Sequence, residues 1–175
     1  MSLYYVRHGM TEWNKERKLQ GNSDIPLNEI GIQQAHETSK LFFDTAIDKV
    51  YCSPLLRAKQ TAEIVCQNMD CEIVVEKRLA ERCFGDLEGT NLGENHVYLW
   101  SFDEPLCPHA EDLNDFFSRV QSFIKEIQEE CKEKNILLVA HGGVYLPVHE
   151  FYHGLDRKMD LMTIVPGNCT VTKFE

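Results

Sequence analysis

No stretch of this 175-residue chain approaches the roughly 20 consecutive apolar residues that a membrane span requires. The opening run, Leu3 to Val6, passes straight into Arg7 and His8, so neither a signal peptide nor a transmembrane helix is expected. Positive charge is also in short supply: 18 Lys and Arg stand against 28 Asp and Glu, a net charge of -10. A nucleic-acid backbone would have to be held against that field, so nucleic acid is not an expected partner. Seven cysteines, at 52, 66, 71, 83, 107, 131 and 169, include no C-x-x-C pair and no even framework. Most read as small buried hydrophobes of a reducing, cytoplasmic compartment. Histidines at metal-ligand spacing are scarce, and the one helically spaced pair, His149 and His153, reads as ordinary helix residues, so no metal and no cofactor is expected. Repeats, low-complexity tracts and Pro/Gly/Ser linkers are missing too. Residues 1–175 are therefore expected to form one domain, long enough to bury roughly 70% of the surface of the unfolded chain.

What is present is alternation. Short apolar or β-branched runs alternate with segments of helical period, the pattern of an α/β domain around a mainly parallel sheet. Strands are expected at Leu3 to Val6, Lys49 to Cys52, Glu72 to Val75, Ile136 to Ala140, Leu161 to Val165 and Thr170 to Phe174. Four helices fall between them. The first begins near Asn28 and runs through Ile32, Ala35 and Ser39 to Phe43. The second follows Ser53, has Pro54 at its first position and points Leu55, Leu56, Ala62, Val65 and Met69 inward. In the third, Leu113, Phe116, Phe117, Val120, Phe123, Ile124 and Ile127 recur at three and four residues, opposite Arg119, Lys125, Glu126 and Glu129. A fourth runs from near Gly143 to Gly154. The segment from Cys83 to Pro108 is too long for a plain loop and rich in aromatics, so short helices close to a ligand are expected there.

Three strands end in conspicuous polar residues. The first runs into Arg7-His8-Gly9, the second into Ser53-Pro54 with Arg57 one turn later, and the fourth into His141-Gly142-Gly143. In an open α/β sheet the ligand crevice lies outside the carboxyl ends of the strands, so groups over a hundred residues apart can converge there. Two histidines and two arginines in one crevice suit a phosphoryl group, because arginine offers planar, permanently charged donors and a helix N-terminus adds backbone N–H groups. Taken singly, His141 reads as structural and Arg57 as a solvated helix residue. Their coincidence at three strand ends is what packing does not explain.

These residues resemble the histidine phosphatase superfamily, in its branch related to phosphoglycerate mutases. The resemblance starts at Arg7-His8-Gly9-Met10-Thr11-Glu12-Trp13-Asn14 and continues through Gln20-Gly21, Asp24-Ile25-Pro26-Leu27, Gly31 and Gln34-Ala35. It passes Ser53-Pro54-Leu55-Leu56-Arg57-Ala58, Gln60-Thr61-Ala62, Leu79-Ala80-Glu81-Arg82, Phe84-Gly85, Glu88-Gly89 and Glu111, and ends at Val139-Ala140-His141-Gly142-Gly143. It implies a three-layer α/β/α sandwich with a mostly parallel central sheet. It also implies His8 as the nucleophile, Arg7, Arg57 and His141 as holders of the phosphoryl oxygens, and Glu81 as general acid and base. Asn14, Gln20, Gly21 and Gly142 would bind substrate. Met10 and Ala110-Glu111-Asp112 depart from the pattern without touching that set.

The implied activity is metal-independent hydrolysis of a small phosphomonoester, sugar-like or nucleoside-like, such as alpha-ribazole phosphate. A phosphoglycerate mutase, a protein phosphatase and a non-catalytic phosphoryl-binding module are the alternatives. A mutase must grip a second anion, and the segment from Cys83 to Ser118, which by the resemblance lines the pocket mouth, contains no Lys or Arg. A leaving group without a second anion is expected on that ground.

Overall fold

A computed structural model describes residues 2–91, 97–103 and 106–175. Strands β1 (Leu3–Arg7), β2 (Lys49–Cys52), β3 (Glu72–Val75), β4 (Ile136–Ala140) and β5 (Val171–Phe174) form one sheet in the order β3-β2-β4-β1-β5. The first four of these in spatial order run parallel, and β5 closes the β1 edge antiparallel. β4, central and buried at all five positions, is an uninterrupted apolar run because helices cover both of its faces.

The period of two along each strand divides the core. Val6, Val50, Cys52, Leu137 and Val139 face a cluster with Ala35 of α2 (Glu29–Lys40) and Ala58, Ala62 and Val65 of α3 (Leu56–Val65). Their neighbours Tyr5, Tyr51, Ile136, Leu138 and Ala140 face the opposite cluster, built on α4 (Leu113–Glu133) and α5 (Gly142–His153). The layers are therefore α/β/α, and all seven residues of the apolar stripe expected on α4 are buried. One further turn of helix, α1 (Glu12–Lys15), follows β1. It is closed by a capping box in which Thr11 accepts from the Asn14 N–H and Asn14 accepts from the Thr11 N–H, each at 3.1 Å. Among the described residues no helix is long and apolar enough to cross a membrane.

Several expectations need correction. Leu161 to Val165 is not a strand: Leu161–Ile164 forms a 3-10 turn, with Asp160 accepting from the Met162 N–H at 3.1 Å, and β5 occupies the edge it would have needed. An apolar, β-branched run does not by itself distinguish a strand from a capped turn. The helix begun at Asn28 ends at Lys40 and loosens into i to i+3 turns, which bury Phe42 and leave Phe43 72% exposed. α3 starts at Leu56, not at Pro54, and Met69 lies beyond its end, half-buried against the core. Three cysteines (52, 66 and 169) are buried and four are half-buried. The 83–108 segment does carry short 3-10 helices, Gly85–Leu87 and Val97–Trp100. Glu94 and Glu104, acids of the same segment, lie outside the described residues.

Candidate active site

The carboxyl ends of β1, β2 and β4 meet at one cavity of about 200 Å³. Eight of the nine residues expected to form a site line it: Arg7, His8, Asn14, Gln20, Gly21, Arg57, Glu81 and Gly142. The ninth, His141, sits behind the wall with its ring centroid 5.2 Å from that of His8.

His8 is 3% exposed, and its Nδ1 lies 2.7 Å from the Gly9 carbonyl oxygen. A carbonyl can only accept, so Nδ1 carries the proton and Nε2 keeps its lone pair. Burial foremost, then Arg57 and Arg7, push the His8 pKa well below the ordinary histidine value. The ring is neutral at neutral pH for that reason. His141 is neutral on the same grounds. Its Nε2 is 2.6 Å from Ser53 Oγ, which accepts from the Leu55 N–H at 3.3 Å. A Ser53 hydroxyl that donates to Nε2 would place the ring proton on Nδ1. Tyr5 fixes the same residue from below, its hydroxyl donating to the His141 carbonyl at 2.5 Å.

Arg57 is anchored by two carbonyls, those of Ser23 (2.8 Å) and Gly21 (2.7 Å), and Arg7 by Pro166 (2.9 Å). Gly21 has φ +52, a conformation other residues resist, and this turn aims its carbonyl at Arg57. Burial lowers both arginine pKa values, Arg57 to about 10, and both stay charged at neutral pH. Arg7 Nε, Arg57 Nε and His141 Nδ1 are buried without a partner among the described residues. Three satisfiable donors without an acceptor are costly in a folded protein unless a ligand supplies one. They cluster where an anion would fit.

Glu81 is buried beside them. One carboxylate oxygen accepts from the Gly143 N–H (3.0 Å), at the N-terminus of α5, and the other from the Arg82 N–H (2.9 Å). Burial still dominates and raises its pKa above the usual carboxylate range. A Cβ on Gly143 would stand 2.3 Å from Glu81 Oε1 and 2.5 Å from the Trp100 ring, so only glycine permits this approach.

The histidine phosphatase superfamily (branch 1) matches residues 3–175 of the chain. The chain belongs to that superfamily. Among its members, the uncharacterized phosphatase PhoE of Bacillus subtilis is 38% identical over 138 residues, covering 79% of this chain and 70% of that protein. A protein of Escherichia coli named "Probable phosphoglycerate mutase GpmB" is 32% identical over 150 residues, 81% of this chain and 70% of its own. The crystal structure of the alpha-ribazole phosphatase of Shigella flexneri superposes with a TM-score of 0.86 at 27% identity, covering 99% of this chain and 89% of the other. The protein is thus an enzyme of the histidine phosphatase superfamily with a phosphoglycerate mutase-like fold.

Other residues of the site escaped sequence reasoning. Arg17 and Lys18 line the cavity, so its mouth does carry cations, brought from the exit of α1 and not from the 83–118 segment. They sit between Asn14 and Gln20-Gly21, and that position was the available signal. Leu19, Phe84, Leu99, Trp100 and Met162 make the apolar half of the lining. Most described acids of the 83–118 segment have structural partners: Glu88 holds the N–H groups of Asn22, Ser23 and Phe84, and Asp112 caps α4. Arg119, expected on a solvent face, is half-buried and paired with Glu111. Between His149 and His153, Glu150 completes the His-Glu-x-x-His spacing of zinc hydrolases. The fold does not use it that way: Glu150 is taken by Arg157 (2.8 and 3.0 Å) and Gln121 (2.8 Å), His149 packs tilted against Tyr145, and His153 stacks on Phe174. Among the described residues no group of three metal-ligating side chains occurs.

Proposed function

We propose that the protein is a phosphomonoesterase that frees inorganic phosphate from a small ester through a phosphohistidine on His8. The observation that carries this reading is the fixed tautomer of His8, whose Nδ1–H is held by Gly9 at 2.7 Å and whose Nε2 is left as a neutral nucleophile. Nε2 attacks phosphorus and the bond to the leaving oxygen breaks. That oxygen takes the proton of Glu81. Arg7, Arg57 and His141 donate to the equatorial oxygens, where charge gathers in a loose transition state, and Asn14 and the Gly142 backbone assist. Water then gives its proton to Glu81 and its oxygen to phosphorus. The N–P bond breaks, the electron pair returns to Nε2, and phosphate leaves.

A sugar-like or nucleoside-like leaving group suits the apolar half of the cavity, where Phe84, Leu99, Trp100 and Met162 offer flat and apolar faces. The resemblance to alpha-ribazole phosphatase supports alpha-ribazole phosphate as an example. The test is a panel of sugar, nucleoside and glycolytic phosphates, with His8→Ala as control. The expected result is phosphate release by the wild type, loss of several orders of magnitude in the variant, and an acid-labile, base-stable phosphate trapped on His8. Phosphate on any other residue overturns the assignment. Because the arginines already supply positive charge to the phosphoryl group, turnover is expected to persist in EDTA. Loss on chelation that a divalent ion restores would contradict this.

One observation favours a second reading. Arg17 and Lys18 give the mouth cations that a phosphoglycerate mutase needs for a second anion, which removes the ground for excluding one. Transfer of phosphate between the 2 and 3 positions of phosphoglycerate without net release would establish it.

A further inference from the structure

Glu81 sits on a segment with little structure of its own, between the single turn Lys77–Leu79 and the bridge that pairs Phe84 with Ala110. Something else must hold a buried carboxyl to the accuracy that proton transfer demands. We infer that Arg119 of α4, locked by Glu111, is the positioning residue of the proton donor Glu81. This rests on the phosphatase reading, in which Glu81 is the acid.

The geometry is fully specified. A guanidinium has five N–H donors in a rigid plane. In Arg119 all five are used. Nε donates to Glu111 Oε1 (2.6 Å), and one Nη2 hydrogen to Glu111 Oε2 (2.9 Å). The other Nη2 hydrogen goes to the Glu81 carbonyl (3.1 Å), and Nη1 donates to the carbonyls of Arg78 (2.7 Å) and Ala80 (2.9 Å). Three carbonyls of the stretch that ends at Glu81 are thus tied to one side chain on a 21-residue helix. Glu111 completes the clamp from the far side. Its Oε2 accepts from the Cys83 N–H at 3.2 Å, its own N–H donates to the Cys83 carbonyl at 2.9 Å, and its carbonyl accepts from Arg82 Nε at 2.9 Å.

The chain is therefore held on both sides of Glu81. Fixing the Glu81 carbonyl fixes the following peptide, whose N–H, that of Arg82, donates to the Glu81 carboxylate at 2.9 Å. Arg82 in turn donates to the Leu99 carbonyl, which ties the wall segment carrying Trp100 to the same frame. Lysine in place of Arg119 would bring three tetrahedral donors and could not span a carboxylate and three carbonyls.

The discriminating measurement is kcat/KM, which reports on the step in which the leaving group departs, for an alkyl ester such as glycerol 2-phosphate and for p-nitrophenyl phosphate. The alkyl leaving group needs protonation and the nitrophenolate does not. Glu81→Gln sets the benchmark. Arg119→Lys is expected to lower kcat/KM for the alkyl ester about 10-fold to 100-fold, the cost of a misplaced catalytic group, with less than about 3-fold change for the activated ester. Inhibition by inorganic phosphate should not change. Glu111→Gln keeps the shape, removes the charge that orients Arg119, and should show the same selectivity more weakly. It carries the test if Arg119→Lys does not fold. Equal losses on both esters, or no loss on either, overturn the positioning role while leaving Glu81 as the acid if its own variant is selective. A Glu81→Gln variant without selectivity overturns both.

Discussion

At the level of single residues, the two groups that the proposed mechanism casts as nucleophile and acid are shifted in opposite senses by the same cause. Burial favours the neutral form of each, so His8 is held well below the ordinary histidine value and Glu81 above the ordinary carboxylate value. In the proposed mechanism His8 has to be unprotonated to attack and Glu81 protonated to donate. The expected pH profile of kcat/KM is a bell whose acid limb belongs to His8 and whose alkaline limb belongs to Glu81, with an optimum between mildly acidic and neutral pH. Glu81→Gln should remove the alkaline limb. A profile that keeps both limbs in that variant would assign the alkaline one elsewhere. Ser53 belongs to the same scale, since its 2.6 Å contact with Nε2 orients the His141 ring beside His8. Ser53→Ala should lower kcat/KM about 10-fold to 100-fold by loosening that donor. Steady-state kinetics on p-nitrophenyl phosphate checks it, because in the proposed mechanism that ester needs no proton from Glu81.

At the level of elements, helix ends do double duty. α3 lacks a capping side chain at its own N-cap, Leu55, and borrows one from the loop between α1 and α2: Asp24 Oδ1 accepts from the Leu56 N–H at 2.6 Å. Ser53, which precedes this helix, accepts from the Leu55 N–H and contacts His141. Because Arg57 lies on the first turn of α3 and is anchored on the same loop through Gly21 and Ser23, cap and anion site are coupled. Asp24→Ala should cost about 1 kcal/mol of stability in a urea melt and also weaken inhibition by inorganic phosphate. Asp112, which caps α4 by accepting from the Asn114 and Asp115 N–H groups, is the contrast. Asp112→Ala should cost a similar amount, about 1 kcal/mol, and leave phosphate inhibition unchanged. Equal effects of the two variants on phosphate affinity would break the proposed coupling.

For the molecule as a whole, the buried histidines make stability depend on pH. His8 and His141 have folded pKa values depressed below their unfolded ones, so on acidification the unfolded chain takes up protons first. Above the unfolded value, near 6.5, neither state binds these protons and the histidines contribute no slope. Below it, stability falls with pH by about 1.4 kcal/mol per pH unit for each histidine until the folded pKa is reached. Glu76 and Glu130, lowered by their cationic partners, add a loss of the same sign nearer pH 4.5. Glu81 opposes them, since protonation relieves the cost of burying its charge. Thermal melts from pH 7.5 to 5 should show a falling Tm, and the fall should be shallower in His8→Gln. Parallel curves for the two proteins would mean that His8 titrates in the fold as it does in the unfolded chain.

The sequence by itself determined what depends on local pattern. The three- and four-residue recurrence on α4 was legible because one face of a helix must be apolar wherever it packs. The continuous apolar run of β4 was legible as a strand for a related reason, since a strand covered on both faces is apolar throughout. The three strand ends carrying Arg7-His8, Ser53 to Arg57 and His141 were readable because a parallel sheet puts all its carboxyl ends on one side. Tertiary structure alone decided the fate of polar side chains whose partners are remote in the chain. Arg119 looks like a solvated helix residue until the loop 38 residues before it presents the Glu81 carbonyl. Ser53 meets His141 only from 88 residues away, and Arg17 and Lys18 reach the cavity only through the path the chain takes after α1. The Leu161 to Val165 run, apolar like a strand, forms a 3-10 turn capped by Asp160, and β5 forms the edge beside β1. Apolar burial is read from spacing because any neighbour satisfies it, whereas a hydrogen-bond donor needs one particular acceptor, and which acceptor it meets is settled only when the chain has folded.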